Sequence, residues 1–339
     1  MRGRKSYCRN YLTVSIVIAM LVVTLGVSQA AEYPDRPITI IVPFAVGGGS
    51  DILARLVQPY LKEALGAPAV IVENKPGGGG AVGVSTFARS RADGYTLLCQ
   101  DFTAVVLTSM LVENPGFEME DLIPVITVTY DPRYFFVRKE SPYKDMNDLV
   151  EDARKRPGRV TIAVPQGSGA HWQLEYIKKV MDLPVQTVGY AGGGPAMTAL
   201  LGGHVDAFES DALGRVPVRE KLRAIGVVAS KRTDLFPEAN PCVEHKVFKE
   251  KGITRLAEAP YAGAIWVHRE VKEKHPDIFN KLESALFKVK DNPGFLERAK
   301  TLNLDKISAW YGPQKSLEMR DDIIKGFKQY PDIVKMMKK

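Results

Sequence analysis

The sequence predicts an α/β protein built of two units that face each other across a cleft. Three observations carry that expectation. Short apolar runs rich in β-branched residues alternate with helix-like stretches, the pattern of parallel βαβ units. The alternation occurs once before and once after about residue 130. In both halves glycine-rich segments separate a strand from the following helix, which puts those loops at the carboxyl ends of strands, where such sheets bind ligands.

The first unit opens with Ile38-Thr39-Ile40-Ile41-Val42, uncharged and β-branched, as a strand buried on both faces is. Gly47, Gly48 and Gly49 follow, then Ser50 and Asp51, both good helix caps, then the apolar start of a helix at Ile52. Such a strand, glycine loop and capped helix direct free N–H groups and the positive end of a helix dipole at an anion, most simply a carboxylate. An ordinary strand-to-helix turn is the plainer alternative. Residues 69–74 read as a second strand, leading through Gly77 to Gly80 into a helix over 82–89. Asp93-Gly94 marks a turn before a third strand at 95–99, which delivers Gln100, Asp101, Phe102 and Thr103 to the same edge.

The second unit repeats the pattern. Strands are expected at 134–138, 160–164, 185–188, 204–208 and 222–229, with helices at 146–155, 171–181 and 196–201. Its glycine loops are Gly167-Ser168-Gly169-Ala170 and Tyr190-Ala191-Gly192-Gly193-Gly194. A strand at 264–267 and a helical tail over 276–288 and 316–336 complete the chain. Two lobes of this kind would hold a small anion from both sides, since small-ligand sites favour domain interfaces.

At 339 residues, 45% hydrophobic and 25% charged, the chain has the composition of a globular protein with a real core. Arg2, Arg4, Lys5 and Arg9 precede an apolar run ending near Val27, and Ser28-Gln29-Ala30 supplies small residues for cleavage. This predicts an export signal over 1–30 and a periplasmic mature protein. Four of the seven net positive charges lie in that segment, and no Lys/Arg-rich block remains to argue for nucleic acid. Cys8 leaves with the signal, and Cys99 and Cys242 are expected as unpaired thiols.

Catalytic patterns are sparse. There is no P-loop, no G-x-S-x-G around Ser168 and no metal-spaced histidine pair, so neither metal nor cofactor is expected. Asp206 and Asp211 can be written as an acid/base pair, but more simply end a strand. The rival reading is a nucleotide-dependent enzyme using Gly78, Gly80 and Gly83, with Asp101 about twenty residues on as the ribose acid. More small residues follow those glycines, and an exported protein has little access to NAD. Among aromatics near the loops, Trp172 and Tyr190 are the candidates for cleft walls.

Tyr33-Pro34-Asp35-Arg36-Pro37, Val42-Pro43-Phe44-Ala45-x-Gly47-Gly48-Gly49-Ser50-Asp51, Val72-Glu73-Asn74-Lys75-Pro76-Gly77 and Asp93-Gly94-Tyr95-Thr96 closely resemble the tripartite tricarboxylate transporter receptors, the Bug/TctC-type periplasmic solute-binding proteins. Lys155-x-Pro157-Gly158, Tyr190-x-Gly192-Gly193 and Leu200-x-Gly202-Gly203-x-Val205-Asp206 extend the likeness over the mature chain. The resemblance implies a type II periplasmic binding protein fold, with 31–130 plus 251–339 in one lobe and 131–250 in the other. It implies a monomer without enzymatic activity that captures a small organic carboxylate for the membrane subunits of a tripartite transporter, or for a sensor protein. It also implies ligand contacts from Phe44, Val46, Gly47, Gly48, Gly49, Ser50 and Asp51 and, in the second lobe, from Ser168, Gly169, Ala170, Tyr190 and Gly192; Asp101, Thr103, His171, Trp172 and Asp206 are further candidates from their places beside these loops. Two positions depart from the family pattern: Ala170 lacks its hydroxyl, and Gln173 stands where a histidine is usual. With Trp172 beside them, the expectation is an aromatic or otherwise bulky carboxylate.

Overall fold

The computed structural model describes residues 32–338, so the export signal expected over 1–30 lies outside the described residues. The first half contributes β1 (Ile38–Val42), α1 (Gly49–Leu65), β2 (Val70–Asn74), α2 (Ala81–Ala88), β3 (Thr96–Asp101), α3 (Phe102–Leu111) and β4 (Leu122–Thr129). The middle contributes β5 (Arg133–Arg138), α4 (Met146–Lys155), β6 (Thr161–Pro165), α5 (Gly169–Met181), β7 (Gln186–Tyr190), α6 (Gly193–Leu201), β8 (Ala207–Ser210), β9 (Leu222–Val228) and α7 (Lys246–Lys249). The chain then returns with β10 (Gly263–His268), α8 (Arg269–Lys274), α9 (Pro276–Asp291), α10 (Pro293–Thr301), β11 (Ser308–Tyr311), α11 (Pro313–Lys328) and α12 (Pro331–Met336).

These strands form two sheets. One has six strands in the order β11-β4-β10-β3-β1-β2, the other five in the order β7-β6-β8-β5-β9. Strand β1 pairs in parallel with β2 and β3, and β6 with β7 and β8, as the two βαβ series require. Strand β10, supplied by the last part of the chain, inserts antiparallel between β3 and β4.

The sheets are joined by two crossing segments. Between β4 and β5 only residues 130–132 intervene, and the return runs through 229–262. The crossings pair with each other: Asp131 N–H donates to Tyr261 O, and Tyr261 N–H to Asp131 O, each at 2.8 Å. Gln173 reinforces this place, its Nε2 donating to Ala257 O and its Oε1 accepting from Ala259 N–H, both at 2.9 Å.

Six elements lie beyond the sequence reading: β4, β11, α3, α7, α8 and α10. Strand β4 is buried along its whole length but contains Pro124, which argues against a central strand. The structure accommodates the proline at a shift of register beside Ile265 and Trp266 of β10, where the ladder is already interrupted. Helix α3 is buried from Phe102 through Thr108 and shows no polar face for periodicity to reveal.

Trp266 anchors the larger sheet. It is fully buried, its indole N–H donates to Gln100 O at 3.0 Å, and its ring packs on Phe102. Trp266→Ala should therefore lower unfolding free energy by about 3–5 kcal/mol, the usual cost of emptying so large a site. Urea unfolding followed by circular dichroism checks this; a loss below about 1 kcal/mol would mean that the strand does not depend on this residue.

Candidate functional site

Four helices begin at the facing edges of the two sheets. Helix α1 starts at Gly49 after Gly48, and α6 at Gly193 after Gly192; neither has a side-chain cap. The donors of their first turns are thus left to other partners. Helix α3 is capped by Asp101, which accepts from Ala104 N–H at 2.8 Å. Helix α5 is capped by Ser168, which accepts from His171 N–H. Gly48, Gly49, Ser50, Asp101, Ser168 and Gly193 line one cavity, together with Phe44, Asp51, Gln100, Arg133, Pro165, Asp211 and Tyr261. Its volume is about 30 Å³, room for roughly two waters.

The two lobes touch around this cavity through backbone. Ala45 N–H donates to Ala191 O at 3.0 Å. A Cβ at Gly167 would overlap the Gly79 carbonyl, and one at Gly194 would overlap the Val46 carbonyl. Gly48 and Gly193 are equally close, a Cβ on the former standing 3.4 Å from the latter's nitrogen. Gly47, at φ +83°, turns the first loop toward α1 in a conformation that suits glycine.

Charged side chains lie buried at the cavity. Arg133 is 2% exposed, with Nη2 at 3.6 Å from Asp101 and Nη1 at 3.9 Å from Asp211. Its Nε donates to Ala259 O at 2.9 Å, and its guanidinium lies 5.7 Å from the Tyr261 ring centroid. Ser50 Oγ donates to Gln100 Oε1 and lies 3.2 Å from the Tyr261 hydroxyl. Behind this layer are Asp131, Glu209 and Arg215, all without exposed surface. Asp131 accepts from Ala212 N–H, and Arg215 Nη1 donates to Gly193 O at 3.0 Å.

The family model described as "Tripartite tricarboxylate transporter family receptor" matches residues 53–325. The chain belongs to that family. The receptor is similar to protein BugT of Bordetella pertussis (strain Tohama I), with 35% identity over 236 residues that cover 67% of this chain and 72% of BugT. Among solved structures it is similar to the periplasmic binding protein BugD, with a TM-score of 0.75 and 25% identity over 90% of this chain and 98% of that one. MatC from Rhodopseudomonas palustris, solved with bound malate, shares the fold at a TM-score of 0.75 and 23% identity, covering 89% of this chain and 100% of MatC. The fold is therefore the two-lobed periplasmic binding type that the sequence led us to expect, with its cleft between α/β lobes. No helix among the described residues is long and apolar enough to cross a membrane.

Within the receptor, Phe44, Gly48, Gly49, Ser50, Asp51, Asp101 and Ser168 line the cavity. Asp51 also serves the loop, accepting from Gly47 N–H at 3.0 Å and from Arg55 and Asn74 at 2.9 Å. Gly169 and Thr103 abut just behind: a Cβ on Gly169 would overlap the Thr103 hydroxyl. Val46, Gly47 and Gly192 belong to the touching rims, and Val46 is largely exposed. Tyr190 is half-buried against the core, and Ala170 is fully buried in the first turn of α5. The His171 ring accepts from Gly167 N–H at 3.3 Å, and burial lowers its pKa.

Three expectations are corrected by this geometry. Trp172 does not wall the cavity; it is 1% exposed and packs on Tyr176, Phe327 and Tyr330, because the C-terminal helices cover that flank of α5. The case for a ligand stacked on Trp172 goes with it. Asp206 sits at the other end of its sheet, where its carboxylate accepts from Thr161 N–H and Oγ1 at the start of β6; it is no partner for Asp211. In the rival dinucleotide loop, Gly83 packs directly on Pro43 and Gly79 on Gly167, while Asp101 is occupied with α3 and Arg133.

Gln100, Arg133, Pro165, Gly193, Asp211 and Tyr261 complete the lining and were not among the expected contacts. The legible signal for Arg133 is a charge opening an otherwise apolar strand, Arg133-Tyr134-Phe135-Phe136-Val137.

Burial raises the pKa of Asp101, Asp131 and Glu209, in spite of the opposing pull of Arg133. Burial likewise lowers Arg215. A raised folded-state pKa means that the folded chain keeps a proton which the unfolded chain releases above the ordinary carboxylate range. The contribution of these acids to stability is then fully present below that range and declines as pH rises through it toward the raised values. Glu209→Gln removes one such group, both of whose oxygens lack a partner. The variant should resist urea better than wild type near about pH 7.5 and lose less stability between about pH 4.5 and about pH 7.5. Equal slopes would show that Glu209 does not take up a proton on folding.

Proposed function

We propose that this protein is an exported receptor that captures a small organic carboxylate between its lobes. One observation carries the reading: the N-termini of α1, α3, α5 and α6 converge on a single cavity at the lobe interface. Each brings a partial positive charge, and the uncapped ends of α1 and α6 bring free N–H donors, so an anion is the ligand that such an arrangement stabilises. A carboxylate presents two oxygens that suit these donors directly or through ordered water. MatC, with the same fold, binds malate, so the architecture is compatible with such a ligand.

The family whose model matches is one of receptors, so we assign it capture rather than turnover. The cavity of about 30 Å³ is too small for a dicarboxylate, which requires the lobes to part for entry and to settle around a larger volume. The ligand favours closure only to the extent that it binds the closed form better than the open one. We assign residues 31–130 with 251–339 and residues 131–250 to the two moving bodies, with the paired crossings at Asp131 and Tyr261 as their hinge. Delivery would be to the membrane subunits of a tripartite transporter, or to a sensor protein.

The test is a thermal-shift screen of residues 31–339 against mono-, di-, tri- and aromatic carboxylates, with NAD as the contrasting ligand. A carboxylate at about a thousand times its Kd adds roughly 4 kcal/mol and should raise Tm by several degrees. A response to NAD alone, or to none of the carboxylates, would defeat the proposal.

A further inference from the structure

Two buried atoms of residues that border the cavity have no hydrogen-bond partner among the described residues. Gln100 is 1% exposed. Its Oε1 accepts from Ser50 Oγ and, at 2.8 Å, from Asp101 N–H; the backbone donor fixes which end of the amide is oxygen. Nε2 is therefore a donor with no acceptor. Asp211 is 5% exposed. Its Oδ2 accepts from Ser210 Oγ at 3.2 Å and lies 3.9 Å from Arg133 Nη1. Its Oδ1 receives no hydrogen bond and stands beside the first residue of α1, where a Cβ on Gly49 would come within 2.8 Å.

Buried polar atoms are almost always paired, so unpaired ones facing a cavity indicate what its occupant must supply. Gln100 Nε2 and the uncapped N–H groups of α1 call for an acceptor, which a carboxylate provides. Asp211 Oδ1 calls for a donor. Arg133 does not meet that need, since its guanidinium is already shared among Ala259 O, Thr103 and Asp101. A carboxylate with nothing but acceptors would face Asp211 as a like charge at short range in a buried site. Because Oδ1 and the α1 donors meet at Gly49, the missing donor must sit close to the ligand's carboxylate, on the neighbouring carbon.

We propose that Asp211 is a specificity-determining residue, selecting carboxylates that carry a hydroxyl or ammonium donor beside the carboxylate over the parent acids that lack one. This rests on the carboxylate-receptor reading above and narrows its substrate class. A site with a buried acceptor discriminates strongly against an analogue that leaves it unpaired.

Calorimetric titration of the wild-type receptor with succinate, malate and aspartate, and with propionate, lactate and alanine, tests the proposal. At least one donor-bearing acid should bind about tenfold or more tightly than its parent. In Asp211→Ala that ratio should fall to near one, with the parent acid binding more tightly once the like charge is gone. Asp211→Asn keeps an acceptor but loses the charge, so preference for an ammonium should fall more than preference for a hydroxyl. This variant carries the test if the alanine variant fails to fold, and it tells the two donors apart. Equal affinities for parent and substituted acids in wild type, or ratios unchanged in both variants, would overturn the assignment. So would binding of some other carboxylate by a receptor that takes none of the hydroxy or amino acids. If no carboxylate of any kind binds, it is the receptor reading itself that falls.

Discussion

The structure depends on the short antiparallel bridge between Asp131 and Tyr261. There the two chain crossings meet through a pair of backbone hydrogen bonds of 2.8 Å each. The side chains that form the floor of the cavity start from the same place. Tyr261 reaches Ser50, Asp131 holds the amide after Asp211, and Arg133, two residues on, turns between Asp101 and Asp211. The connection between the lobes and the floor of the site are one assembly, so a change in lobe angle is felt at once by the groups that face a ligand.

That floor would be costly without compensation. Asp101, Asp131, Glu209 and Asp211 are buried with only Arg133 and Arg215 to balance them. The convergent helix ends make up part of the difference: Asp101 caps α3, and Asp211 lies against the start of α1. What remains uncompensated appears as raised pKa values for Asp131 and Glu209, and as unpaired atoms on these two residues and on Asp211. Buried polar groups left in that condition lower stability, and their persistence at a cleft fits a site arranged for an occupant more than for the empty protein.

Much of this was legible in the sequence because it is local. Glycine runs between an apolar strand and the start of a helix mark the α1 and α5 loops without reference to anything distant, and those loops border the cavity, although Ser50 and Asp51, expected as caps, lie inside α1. Apart from Asp101, the charged floor was not legible, because residues 133, 211 and 261 join it through the crossings and the insertion of β10. Asp206 and Trp172 were misjudged for related reasons. Proximity to a glycine motif says nothing about which end of a strand a residue occupies, nor which flank of a helix a distant C-terminal helix will cover. Pro124 hid β4 because its exemption, a register shift in the partner strand, lies in β10 more than a hundred residues away.

The rims of the two lobes meet glycine to glycine, Gly79 on Gly167 and Gly47 and Gly48 on Gly193 and Gly194. A seam of bare backbone leaves no room for side chains, and its inner edge, Gly48 and Gly193, also lines the cavity. It records only whether the two halves have come together, and any side chain added there would wedge them apart. The fit of one rim on the other is thus set by the main chain and holds whatever side chains the interior carries.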